Sequence, residues 1–157
     1  VELIPGAGEA VRRLAENGFD LFIVTNQAGI GRGYFTEQQM HATNERVCEE
    51  FTKFGVTFQK IYFAPESPEQ PSRNRKPSPQ MILDAQDEFG IDLAASYMIG
   101  DKALDVECGT NAGVKQSILL RTGYGREHES QLGQAHQPFA VTNTLAEAAT
   151  LILSQAE

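Results

Sequence analysis

Short apolar runs alternate with amphipathic helical stretches along almost the whole chain, and this alternation narrows the fold more than any other feature. The run Leu21-Phe22-Ile23-Val24 is too short for a helix. It is apolar at consecutive positions, as a strand covered on both faces of a parallel sheet must be. Ala10, Val11, Leu14 and Ala15 recur at helical spacing and predict a helix over 7–17, stopped by Gly18. Thr36 and Gln39 form a capping box that opens the next helix, with Met40, Val47, Phe51 and Phe54 as its buried stripe and Gly55 as its end. Residues 56–63 read as a strand. Ser78 as N-cap and Pro79 as first helical residue open a helix that carries Ile82, Ala85 and Phe89 to Gly90. A helical turn near Asp92, a strand at 97–99, a helix over 103–112 and a strand over 116–120 follow. Residues 122–138 are polar and read as irregular, and 139–141 as a short edge strand. Thr144 and Glu147 cap the last helix, which holds Leu145, Ala148, Leu151 and Ile152. The pattern predicts an α/β fold of right-handed βαβ units: an open, mostly parallel sheet with helices on both faces. With no repeat and no linker, residues 1–157 are expected to form one domain.

Charge then limits what such a domain can bind. The formal net charge of −8 sets aside a general nucleic-acid binder and repels phosphorylated ligands at long range. A phosphate site here must therefore be a local cluster of positive groups. No apolar run approaches the roughly 20 residues of a membrane span, and residues 1–13 have no leader character, so no membrane partner is expected. Cys48 and Cys108 both fall in predicted helices and read as reduced, partly buried thiols, in keeping with a cytoplasmic setting.

Parallel α/β sheets bind ligands beyond the carboxyl ends of their strands, where the chemically interesting residues of this chain fall. Gly100-Asp101-Lys102 puts a carboxylate at a strand tip, where it can meet a hard cation such as Mg²⁺ or, equally, cap a helix. Asp105, four residues on, reads as a supporting or solvent-facing group. Thr25-Asn26-Gln27 ends the first apolar strand. Its hydroxyl and backbone N–H groups can hold a phosphoryl oxygen, though ordinary strand-end polarity accounts for it too. Ala28-Gly29-Ile30-Gly31-Arg32-Gly33 matches neither a dinucleotide fingerprint nor a P-loop, and reads as a flexible turn or an anion cradle with Arg32 beside it. Arg75-Lys76-Pro77 ends a long polar loop as either a solvated basic patch or a pair of aimed cations. Arg121 stands at the end of a third strand. His41, His128 and His136 have no metal-ligand spacing and read as surface residues.

Taken in order, TNQAGIGRG, RKPSP and GDKALD, with GYFTEQQM, AASYMIGDK and LLRTGYG between and after them, resemble the haloacid-dehalogenase-like phosphatases. The nearest branch dephosphorylates D-glycero-D-manno-heptose 1,7-bisphosphate at position 7, and histidinol-phosphate phosphatases stand beside it. The resemblance implies a Rossmann-like sheet and Mg²⁺-dependent hydrolysis through an aspartyl-phosphate. It implies Thr25 and Lys76 on the transferring phosphoryl group, Asn26, Arg32 and Arg75 on the substrate, and Asp101 on Mg²⁺, aided by the Lys102 carbonyl. The expected partner is a small phosphorylated sugar, and the expected state a monomer.

Two departures stand out. The family's Asp-x-Asp nucleophile motif occurs nowhere in the chain, and the strand that carries it is expected upstream of residue 1, leaving these residues inactive alone. This branch also often holds a structural zinc before the Arg-Lys-Pro segment through three Cys and one His. Ala64, Glu66, Ser72 and Asn74 stand near those places, so no zinc is expected. The alternative to an enzyme is a phosphate-binding protein that lost its nucleophile.

Overall fold

The computed structural model describes residues 2–132 and 139–155, and the chain divides into two compact units, Val1–Arg75 and Lys76–Glu157. The first unit runs α1 (Ala7–Glu16), β1 (Phe22–Asn26), α2 (Ala28–Gly31), α3 (Glu37–Thr52) and β2 (Lys60–Ala64). Strands β1 and β2 pair in parallel, from Phe22 opposite Lys60 to Asn26 opposite Ala64, and α3 lies in the connection between them. The expected box at the start of α3 is present: Gln39 N–H donates to Thr36 Oγ1 at 3.1 Å and Thr36 N–H to Gln39 Oε1 at 2.8 Å. The stripes of α1 and α3 bury Ala10, Val11, Leu14, Met40 and Phe51.

The first unit departs from the expected boundaries in two ways. Strand β2 begins at Lys60 rather than 56, because its paired neighbour is β1 and β1 begins only at Phe22. Val56 is still buried, at 1% exposure, as an apolar anchor ahead of the ladder. The glycine-rich stretch also contains a helical turn, α2. Its glycines let backbone approach backbone: Gly31 N–H donates to Pro65 O at 2.8 Å, and a Cβ on Gly31 would press on Ser67 N and Pro65 O.

The second unit runs α4 (Gln80–Phe89), a 3₁₀ turn (Leu93–Ala95), β3 (Tyr97–Gly100), α5 (Ala103–Ala112), β4 (Gln116–Leu120), α6 (Gly125–Glu129), β5 (Phe139–Thr142) and α7 (Leu145–Gln155). Its sheet has the order β3-β4-β5, all parallel, so β5 is the edge strand that the sequence predicts. Central β4 buries Ile118 and Leu119 completely, and Leu119 packs with Val106, Leu132, Phe139 and Val141. Ser117 is equally buried and donates its hydroxyl to Val106 O at 3.0 Å, so the polar group is satisfied.

Pro79 takes the cap place of α4, one residue later than expected, and Ser78 Oγ accepts the Gln80 N–H at 3.3 Å. At α7, Thr144 Oγ1 accepts the Glu147 N–H, while the Glu147 carboxylate reaches past Thr144 to the Asn143 N–H. The short helix α6 interrupts the stretch expected to be irregular, and residues 133–138, His136 among them, lie outside the described residues. Among the described residues no helix is long and apolar enough to cross a membrane.

Candidate active site

In the first unit the candidates cluster at the carboxyl end of β1 and the loop after β2. Thr25 and Asn26 are the last two residues of β1. Thr25 Oγ1 accepts from Gln27 Nε2 at 3.3 Å, and Gln27 N–H donates to Ala64 O at 2.8 Å, which ties the strand end to the end of β2. Arg32 closes α2 and is exposed. Arg75 is half-buried: its N–H donates to Ser72 Oγ at 3.0 Å and its Nη1 to Glu66 O at 3.4 Å. Both guanidinium groups act on Glu69. That carboxyl is held below the usual carboxylate range by its own backbone N–H and the Ser67 hydroxyl first, and then by the fields of Arg32 and Arg75.

In the second unit Lys76, Asp101, Lys102 and Asp105 meet at the corner between β3 and α5. Lys76 Nζ lies 2.6 Å from Asp105 Oδ1, and the two side chains are only 12% and 8% exposed. Asp105 Oδ2 accepts the Lys102 N–H at 3.2 Å, so Asp105 fastens the start of α5 with one oxygen and holds Lys76 with the other. Its carboxylate lies against Gly100, where a Cβ would collide with it, and this close approach requires glycine at the end of β3. Asp105 is thus a buried anchor, not a solvent-facing group. Asp101 is not the cap of α5; Lys102 holds that place, and its carbonyl accepts from Asp105 N at 3.0 Å and Val106 N at 3.4 Å. The half-buried Asp101 carboxylate accepts the Tyr124 N–H at 3.2 Å.

Two further residues differ from the sequence reading. Arg121 is tied to Glu129 by two hydrogen bonds, 2.8 and 3.1 Å, and to Asn143 Oδ1 at 2.9 Å, so its guanidinium is committed to the fold. His128 is not a plain surface group, because its Nδ1 accepts the Ala103 N–H at 2.9 Å. His41 is exposed, as expected, with its ring edge-on to Phe63. The part played by Asp105 was partly legible, since Asp-x-x-x-Asp starting at a strand tip puts the second carboxylate back over the first turn of the following helix.

A family model described as HAD-hydrolase-like matches residues 73–148, which include Lys76, Asp101 and Asp105. The D-glycero-beta-D-manno-heptose-1,7-bisphosphate 7-phosphatase of Yersinia pestis is 42% identical over 129 residues, 78% of this chain and 69% of that protein. The chain belongs to the heptose-bisphosphate phosphatase family. A second member, from Chlorobaculum tepidum, is 39% identical over 87% of this chain and 73% of its own length. Among solved structures, D,D-heptose 1,7-bisphosphate phosphatase from B. bronchiseptica, in complex with magnesium and phosphate, superimposes with a TM-score of 0.90. It is 29% identical and covers 98% of this chain and 84% of its own. The enzyme from Burkholderia thailandensis gives a TM-score of 0.74 at 26% identity, over 96% and 86% of the two chains. These likenesses bear out the α/β hydrolase fold expected from the sequence.

Among the described residues no group of three or more His, Cys, Asp or Glu is placed to cage a metal ion. Mg²⁺ needs no cage, because it binds through one or two carboxylates and otherwise through water and phosphate oxygens. The hard carboxylate of Asp101, held at a strand tip against Gly123 and the Tyr124 N–H of the segment after β4, fits that demand. The loop before Lys76 does not fit zinc. Glu66 alone of the four offers an anionic side chain, whereas Ala64 has no side-chain donor, Ser72 Oγ is occupied by the Arg75 N–H, and Asn74 Oδ1 accepts from Arg73 at 2.8 Å, so one ligand stands where zinc takes four.

Proposed function

We propose that this chain carries the phosphoryl-holding, cation-holding and substrate-contacting groups of a Mg²⁺-dependent phosphomonoester hydrolase. Its substrate is D-glycero-D-manno-heptose 1,7-bisphosphate, cleaved at position 7. The two units are halves of one hydrolase domain that acts as a monomer in the cytoplasm, with neither nucleic acid nor membrane as a partner. The observation that carries the reading is Lys76, whose side chain is 12% exposed and whose ammonium group is fixed by Asp105 beside the Asp101–Lys102 corner. A cation held this way loses little freedom when it meets a phosphate, and phosphoryl transfer depends mainly on positioning and charge.

In this reading Thr25 Oγ1 and Lys76 Nζ hold the oxygens of the transferring phosphoryl group. Asn26, Arg32 and Arg75 contact the rest of the substrate. The shared field of Arg32, at the end of α2, and Arg75, in the loop after β2, at Glu69 supports placing both guanidinium groups on one recognition surface. Asp101 holds Mg²⁺. The Lys102 carbonyl contributes less, since it already accepts two helix N–H groups. Bound there, Mg²⁺ supplies positive charge to the phosphate oxygens. The loop over 65–75 is closed by hydrogen bonds in place of zinc.

No Asp-x-Asp occurs in the 157 residues, so the reading assigns the nucleophile to residues outside them. These residues by themselves bind phosphate without turning it over. The test is phosphate release from a panel of sugar and amino-alcohol phosphates, run with and without an Asp-x-Asp strand supplied. Release from the heptose bisphosphate only with the strand is the expected result. Preference for histidinol phosphate would move the substrate to the neighbouring branch. No release in either form would leave a phosphate-binding protein.

A further inference from the structure

Asp101 stands at a strand tip, where a carboxylate would ordinarily swing freely. Here the segment after β4 holds it. The Tyr124 N–H donates to Asp101 Oδ2 at 3.2 Å, and the preceding Gly123, at φ +62°, lies so close that a Cβ there would collide with the same oxygen. One helical turn further on, His128 Nδ1 accepts the N–H of Ala103, the first residue of α5, at 2.9 Å. That contact fixes the tautomer, since Nδ1 must be unprotonated to accept. Between these points the Lys102 ammonium rests 5.1 Å from the centre of the Tyr124 ring. The segment is itself anchored at its root. Gly125 lies against Leu120 O with no room for a Cβ, Arg121 N–H donates to Thr142 O at 2.9 Å, and the Arg121 side chain binds Glu129 and Asn143. The three residues Asp101–Ala103 are thus gripped at both ends by the segment after β4.

We infer that residues 121–129 form a clamp that fixes the Asp101 carboxylate for its cation, with Gly123 and His128 as positioning residues. The inference rests on the reading of Asp101 as the Mg²⁺ group. Binding one oxygen through a backbone N–H leaves the other to face a cation in a set direction. Outer partners of this kind are commonly worth 10- to 100-fold in metal affinity. His128 touches neither cation nor substrate and acts through Ala103 and the turn before it.

The test measures Mg²⁺ binding by calorimetry, in the presence of inorganic phosphate, beside the Mg²⁺ dependence of turnover, on the protein carrying its Asp-x-Asp strand. Gly123→Ala should weaken Mg²⁺ binding by about 10- to 100-fold, and His128→Ala by about 10-fold. In His128→Ala the Mg²⁺ midpoint should rise by a larger factor than kcat falls. His128→Asn, whose amide oxygen can take the place of Nδ1, should recover binding to within about 3-fold of the parent, and it guards against loss of folding in the alanine variant. Parent-like Mg²⁺ binding in both Gly123→Ala and His128→Ala would overturn the clamp, as would failure of a folded His128→Asn to recover binding. The two readings separate cleanly. A parent protein that binds Mg²⁺ but releases no phosphate from any substrate would remove the phosphatase assignment, while weakened binding in the variants would still support the clamp.

Discussion

Replacing either member of the Lys76–Asp105 pair should reveal how the corner at the end of β3 is held. The two charges are 2.6 Å apart, with side chains 12% and 8% exposed. At an effective dielectric of about 20 their attraction is about 6 kcal/mol. The cost of taking both from water cancels most of that, so the pair as a whole contributes little net stability. Removing one partner is different, because it strands the other charge in a nearly dry place at a cost of about 3–5 kcal/mol. Lys76→Met and Asp105→Asn should each lower the unfolding free energy by an amount in that range. Because the pair as a whole contributes little, the double variant should cost less than either single one, at least about 3 kcal/mol below the two effects added together. Urea denaturation followed by circular dichroism measures all four corners of the cycle. Additivity to within about 0.5 kcal/mol would refute the idea that these groups are energetically coupled.

Other expectations follow from the same geometry. Asp101→Asn should raise the Mg²⁺ requirement and sharply lower turnover, and unchanged activity at both limiting and saturating Mg²⁺ would remove Asp101 from the site. Lys76→Ala should slow phosphate release by about 10²-fold or more, as loss of one charge-stabilising group does elsewhere; a loss of tenfold or less in steady-state kinetics would place Lys76 outside the phosphoryl contacts. Burial pushes the Cys108 thiol up to about 12 from its ordinary 9.0, against the opposing pull of Lys76. Its folded-state pKa is raised, so its contribution to stability is complete below pH 9 and fades as the pH climbs toward 12. Iodoacetamide at pH 8 should therefore label half-buried Cys48 first and reach Cys108 only on unfolding.

Much of this molecule could be read from its residues. The α3 capping box, the glycine stops at Gly18, Gly55 and Gly90, and the apolar core of β1 each follow from local chemistry that acts within four residues. Strand beginnings were harder. Val56 is as apolar as a strand residue and is fully packed, but whether it joins a ladder depends on where a distant partner begins. Short α2 and α6 were hidden because a single helical turn has no period to detect, and both rest on contacts from other segments. In the candidate site, Thr25, Lys76 and Asp101 were singled out by the family resemblance, since position alone left the role of each open. The contacts of Lys76 to Asp105, of Ala103 to His128 and of the Gly123–Tyr124 backbone to Asp101 could not be read from the sequence, since they depend on groups 20 to 30 positions apart coming together.

The central claim is that Thr25, Lys76 and Asp101 serve one phosphoryl group and one Mg²⁺ ion on a heptose. It is tested most directly by phosphorus NMR of D-glycero-D-manno-heptose 1,7-bisphosphate incubated with Mg²⁺ and the protein carrying its Asp-x-Asp strand. The account predicts loss of the resonance of the position-7 phosphate, retention of that at position 1, and no reaction once Mg²⁺ is chelated. An untouched substrate, or loss of the position-1 phosphate instead, would contradict it.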